Sequence, residues 1–261
     1  MVPCPHSPSP SPPGDAAAPL VITRGDRRTL EFAPGEVQSE MRLSRPDALV
    51  TAYARAMMCF ALFVPRPRDI LMVGLGGGSL AKFCYRHFPH ARITVLELRA
   101  DVIALRAQFC VPPDDARFRV LHADAVAYLA GRPAGVDVLL VDGFDAAGLP
   151  PALGSSRFYA DCRRALREDG VLVANMFSYD PHYPAMLGRL RLLFGGQVCW
   201  FDKVAGNNRI LFAVRAPLDL ARARGRAGRL CAWVGRRRGL GLGILNRWLV
   251  AALLAWLARR R

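Results

Sequence analysis

The sequence predicts an α/β domain, built on a doubly wound, mostly parallel sheet with a small strand element in front of it. Three observations predict it. Short apolar runs of strand length alternate with helix-length segments through the middle of the chain. One run, Ile70 to Val73, ends in Gly74, Gly76, Gly77 and Gly78 before a helical stretch from Ser79 to His87, giving a strand, a glycine turn and a helix. The last two apolar stretches, Gln197 to Val204 and Asn208 to Val214, are separated only by Ala205-Gly206-Asn207, as an antiparallel hairpin would be.

With 261 residues, 52% of them hydrophobic, the chain can bury a full core in one domain with appendages. The net charge of +15 is a property of the tail: residues 220 to 261 hold eleven arginines and no Asp or Glu, which leaves +4 for the rest. A nucleic-acid function for the core is therefore disfavoured. Seven cysteines (Cys4, Cys59, Cys84, Cys110, Cys162, Cys199, Cys231) form no C-x-x-C pair and have no His at ligand spacing. They read as small buried hydrophobes in a reducing, cytoplasmic compartment, with neither a metal site nor a disulfide framework.

Residues 1–20 carry seven prolines and no apolar segment behind a basic start, the composition of a disordered leader. Residues 21–45 form the small strand element: Val21 to Arg42 alternate polar and apolar residues around Pro34-Gly35, as a β-hairpin does. The main domain spans 46–216. Arg45-Pro46-Asp47 opens a helix from Ala48 to Phe63, stopped by Pro65 and Pro67, whose Tyr53 and Met57 face either the ligand or the sheet.

The glycine turn frees the backbone for unusual conformations and lets a ligand approach the main chain and the unpaired N–H groups of the helix start. A second strand, Arg92 to Leu96, delivers Glu97 about twenty residues on, where an acid can accept hydrogen bonds from ribose hydroxyls. A nucleoside-containing ligand follows. A helix from Asp101 to Phe109 leads to a third strand, Phe118 to His122, followed by Asp124, which either hydrogen-bonds an adenine amino group or caps the helix Ala125 to Ala130.

The fourth strand, Val136 to Val141, ends in Asp142-Gly143-Phe144-Asp145, with Gly148-Leu149-Pro150-Pro151 completing the loop. Two carboxylates three residues apart, with nothing basic between Asp137 and Ser156, favour a cation and can take the proton of an amine; the plainer alternative is an Asx-type turn. A helix from Arg157 to Leu166, the turn Glu168-Asp169-Gly170, a fifth strand from Val171 to Met176 and a helix from Pro184 to Phe194 lead into the closing hairpin. That hairpin fits the seven-stranded methyltransferase-type version of the Rossmann arrangement, the fold of S-adenosylmethionine-dependent methyltransferases. The tail, 217–261, ends with eleven uncharged residues from Trp248 to Ala258, too few to span a bilayer. A helix at an anionic membrane surface and docking on the protein itself or a partner subunit both fit.

Residues 21 to about 215 resemble the polyamine aminopropyltransferases, the spermidine synthase family. The resemblance rests on the hairpin with Val37-Gln38, the helix with Ala52-Tyr53 and Met57, the glycine loop after ILMV, Glu97 in VLELRADVI, Asp124-Ala125, DGFDAAGLPPAL and RFYADCRRALREDGVLVAN. It implies decarboxylated S-adenosylmethionine as donor, held by Gln38, Gly74, Gly76, Gly77, Glu97 on the ribose, Asp124 near the adenine, and Ala125. It further implies Asp142 as the base, Asp145 as holder of the acceptor amine and Tyr53 as a second substrate contact. The acceptor would be a small polyamine such as putrescine, in the cytoplasm; the sequence leaves the oligomeric state open, a homodimer being one arrangement it allows.

The sequence departs from the family pattern in four places. Gly77 stands where the family's loop, G-G-G-D-G-G, has its acid, Gly143-Phe144 replace two hydroxyl residues, FDKVAGNN replaces T-Y-P-S-G, and Ala54 replaces an amide. Two alternatives stay open: a methyltransferase using intact S-adenosylmethionine, and a non-catalytic nucleoside-binding protein whose basic tail associates with membrane or nucleic acid.

Overall fold

Alternation of polar and apolar residues between Leu20 and Arg42 produces three antiparallel strands in the computed structural model, which describes residues 18–144, 148–205, 207–215, 252, 253 and 255. Strands β1 (Leu20–Arg24), β2 (Arg27–Glu31) and β3 (Val37–Arg42) form a separate sheet in the order β1-β2-β3. The expected hairpin is the β2–β3 pair. A second tight turn, at Gly25 with φ +57°, adds β1, so the first described strand starts at Leu20, inside the stretch assigned to a leader. Residues 1–17 of that stretch lie outside the described residues.

The main sheet has seven strands: β4 (Asp69–Val73), β5 (Arg92–Glu97), β6 (Phe118–His122), β7 (Val136–Val141), β8 (Leu166–Phe177), β9 (Val198–Ala205) and β10 (Asn208–Val214). Their order is β6-β5-β4-β7-β8-β10-β9, and only β10 pairs antiparallel with its neighbours. This is the expected methyltransferase-type arrangement. Strand order reverses between β4 and β7, and in such sheets ligands bind outside the carboxyl ends of the strands at that reversal.

Each central strand is buried on both faces, and successive side chains enter opposite cores. Ile70, Met72, Val138 and Leu140 join one cluster; Leu71, Val73, Leu139 and Val141 join the other. The first face is covered by α1 (Ala52–Met57), the 3-10 turn Met58–Leu62, α2 (Ser79–His87) and α3 (Ala100–Ala104). The second is covered by α4 (Ala125–Leu129), α5 (Ser156–Ala165) and α6 (Tyr183–Leu193).

Several boundaries differ from expectation. The helix expected over Ala48–Phe63 is α-helical only from Ala52 to Met57 and tightens into the 3-10 turn, whose Met58, Cys59, Phe60 and Ala61 are all buried. The helix expected to reach Phe109 stops at Ala104. The chain continues in turns to Cys110, which takes φ +55° and is exposed, unlike the buried thiols expected at all seven positions. The turn expected at Glu168-Asp169-Gly170 lies within β8, after a register shift against β7. Arg167 holds the chain extended there by bonding Asp137 at 2.7 Å and Asp69 at 2.9 Å.

Of the tail, Ala252, Leu253 and Ala255 are helical, and Leu253 is buried in the first core cluster. The rest of the tail lies outside the described residues. No helix among the described residues is long and apolar enough to cross a membrane.

Candidate active site

Gly74 joins the two halves of the site. It takes φ +93°, and a Cβ there would lie 2.4 Å from the backbone oxygen of Asp142. Only glycine therefore lets the end of β4 lie against the end of β7. Two bonds extend the sheet through this point: Gly74 N–H donates to Leu96 O at 2.8 Å, and Asp142 N–H donates to Val73 O at 2.9 Å. Gly74, Glu97 and Asp142 thus converge along one edge.

Glu97 is buried, 8% exposed, and its two oxygens bridge segments. Oε2 accepts from Leu75 N–H inside the glycine loop at 2.8 Å, and Oε1 accepts from Arg99 N–H at 2.9 Å. Each oxygen keeps further lone-pair capacity for a ligand hydroxyl. At the end of the neighbouring β6, Asp124 is exposed at the same edge and caps α4, Oδ1 accepting from Val126 N–H at 2.8 Å; Ala125 behind it is buried. Capping occupies one oxygen and leaves the other.

The small sheet closes over the glycines. Ser39 of β3 faces Ser79 at the start of α2, their hydroxyls 3.4 Å apart. At Gly77, a Cβ would meet Ser39 Oγ at 2.6 Å and the Phe109 ring at 2.9 Å. Gln38 is half-buried and, by strand alternation, on the other face of β3, so it does not share this contact. Lys82 of α2, itself buried, donates to Phe109 O at 2.6 Å and contacts Met41 Sδ at 3.1 Å, tying α2, β3 and the segment after α3 together. Burial pushes its ammonium down to about 8.

The acidic end of the site is Asp142. Its Oδ1 accepts from Asn175 Nδ2 at 2.9 Å, and Asn175 Oδ1 accepts in turn from Asn208 Nδ2 at 2.9 Å. The Tyr53 phenol of α1 stands close enough to the Asp142 carboxyl for each to shift the other's pKa. The side chain keeps some solvent access at the sheet edge, yet burial pushes its pKa up to about 6 against the lowering effect of Asn175 and Tyr53. The Tyr53 phenol is pushed up by burial and by the Asp142 charge. Such a carboxyl can hold or release a proton close to neutrality. Asp145 lies outside the described residues. No cluster of His, Cys, Asp and Glu suited to a metal ion occurs among the described residues.

The structure thus brings Tyr53, Gly74, Glu97 and Asp142 together, with Asp124 at the next strand end. Sequence reasoning missed Ser39, Lys82 and Asn175. Only Asn175 left a signal, as the one polar side chain in the run VLVANMF.

A seven-stranded sheet of this order, with a glycine loop, a buried acid after the second parallel strand and a protonatable carboxyl across the reversal, has the architecture of the methyltransferase-type Rossmann class. The profile of the family described as spermine/spermidine synthase domain matches residues 50–184, and the chain belongs to that family. It is 37% identical over 196 residues to the polyamine aminopropyltransferase of Chromobacterium violaceum, covering 75% of each chain. A protein of Corynebacterium glutamicum ATCC 13032, described as a probable spermidine synthase, shares the fold with a TM-score of 0.70 at 21% identity, over 86% of each chain. A spermidine synthase in complex with the transition-state analogue AdoDATO shares it at 0.57 and 22% identity, over 76% of this chain and 73% of the other. The chain is accordingly an enzyme, a transferase.

Proposed function

We propose that the enzyme moves an aminopropyl group from decarboxylated S-adenosylmethionine to a polyamine such as putrescine, with Asp142 as the base. The observation that carries this reading is the placement of Asp142: a carboxyl pushed up to about 6, bonded to Asn175, beside Tyr53, and set against the glycine loop through Gly74. In this reading Glu97 takes the ribose hydroxyls and Asp124 the adenine amino group beside Ala125. Gly76 leaves the backbone open to the donor, Gly74 and Gly77 let Asp142 and Ser39 pack against the loop that holds it, and Gln38 contacts it from β3.

An alkylamine acceptor has a pKa near 10, by comparison with about 10.4 for Lys, and is protonated at neutral pH. Its nitrogen cannot attack until a proton leaves. Asp142 orients the ammonium and takes that proton as nitrogen bonds to the carbon next to the sulfonium. The carbon–sulfur bond breaks, and its electron pair neutralises the sulfur of the departing thioether nucleoside. Tyr53 and Asn175 hold the carboxylate in place, so much of the acceleration comes from position. Asp145 holds the acceptor's charge.

A second reading, methyl transfer from intact S-adenosylmethionine, is favoured by one feature: at Gly77, where the family's acid would grip the donor's amine, Ser39 and Phe109 leave no room for a side chain. Thermal denaturation with each donor separates the two, because a ligand that binds only the folded chain stabilises it by about 2.7 kcal/mol at one hundred times its Kd. The proposal expects the larger rise in Tm with the decarboxylated donor. An equal or larger rise with the intact one moves the assignment to methyl transfer, and no rise with either ends the nucleoside reading.

A further inference from the structure

Three aromatic rings form a row that ends in solvent. Phe144, two residues past Asp142, lies with its ring centroid 4.6 Å from that of Phe177, tilted by 48°. Phe177 in turn stacks on Tyr179 at 5.1 Å and 11°. Phe144 and Phe177 are half-buried, and Tyr179 is 66% exposed. None of the three packs into either core cluster, so the row does not serve to fill the interior.

Its place in the fold aims it at the acceptor side. Along β8, Leu172, Ala174 and Met176 enter the second cluster and Val171 and Val173 the first. By that alternation Asn175 and Phe177 share the face from which α1 brings Tyr53. Asn175 bonds Asp142. The ring row therefore starts two residues past the reacting carboxyl along the chain and shares a face of β8 with Asn175, and its first member, Phe144, stands where the family pattern has a hydroxyl residue.

We propose that Phe144, Phe177 and Tyr179 form a cation–π subsite for the distal ammonium of the acceptor, which makes the acceptor an α,ω-diamine or longer polyamine. This rests on the aminopropyl-transfer reading, in which the reacting nitrogen lies at Asp142. Ring faces attract a cation without needing N–H donors, and they accept quaternary ammonium groups as well as primary ones. A carboxylate-lined subsite would instead demand N–H groups at both ends of the diamine.

The test is calorimetric titration of the full chain, saturated with 5′-methylthioadenosine, using two probes: 1,4-diaminobutane and (4-aminobutyl)trimethylammonium. The subsite predicts that both bind, that Phe177→Leu and Tyr179→Ala each weaken both by about three- to thirtyfold, and that Phe177→Tyr restores the affinity. Tyr179→Ala removes an exposed ring and keeps the test independent of any folding defect in the Phe177 variant. Loss of binding on trimethylation, or unchanged affinity in both ring variants, overturns the subsite while leaving the transferase reading intact. Binding of neither probe overturns the subsite. Ring-dependent binding with no aminopropylated product in a separate turnover assay supports the rings as a diamine subsite and removes the aminopropyl-transfer reading instead.

Discussion

Burial moves the Asp142 carboxyl from 3.8 to about 6, and two consequences follow at that residue. The folded chain holds this proton more tightly than the unfolded chain does. Its contribution to stability is therefore complete below about pH 4 and is lost as pH rises through about 6. Asp142→Asn removes the dependence and keeps an acceptor for Asn175. Urea denaturation should show the variant gaining about 1–2 kcal/mol on the wild type between pH 4 and pH 7, after allowance for the carboxyl's partial solvent access. The second consequence is kinetic: only the ionised carboxyl accepts a proton, so kcat/KM of transfer should climb with an apparent pKa near 6. A profile flat from pH 5 to pH 8 contradicts the assignment of the base.

At the level of elements, the glycine loop is held from outside itself. Gly77→Ala forces Ser39 and the Phe109 ring apart, and overpacking of this kind costs about 1–3 kcal/mol. A chemical-denaturation midpoint unchanged from wild type would mean that the two neighbours yield freely. Lys82→Ala leaves the Phe109 carbonyl without its buried donor, and a loss of about 1–3 kcal/mol is expected by the same measurement. The strand, the glycine turn and the limits of α2 were legible in the sequence because an apolar run, a glycine cluster and helical spacing are local signals. Ser39, Lys82 and Phe109 were not, because their importance arises from contacts between segments some thirty to forty residues apart. Helix α1 was overestimated for a related reason: an apolar run of helical length does not distinguish an α-helix from one that tightens into a buried 3-10 turn.

Across the whole molecule, the strand order β6-β5-β4-β7 places the ends of the chain's acidic strands side by side, and the site is a consequence of that order. The sequence made this readable through its closing hairpin, although β1 and the course of the tail were not. Leu253, buried in the first cluster, makes the tail's helical turn part of the body of the protein. Leu253→Ala should cost about 2–4 kcal/mol, visible as a lower Tm; an unchanged Tm would detach the tail from the fold. The central claim, amine attack on a sulfonium nucleoside at Asp142, is tested most directly by mass-spectrometric detection of the products. The full chain is incubated with decarboxylated S-adenosylmethionine and putrescine. Equimolar spermidine and 5′-methylthioadenosine are expected from the wild type, and a rate about 10²–10⁴-fold lower from Asp142→Asn. No spermidine from the wild type, or equal rates from the two proteins, would contradict it.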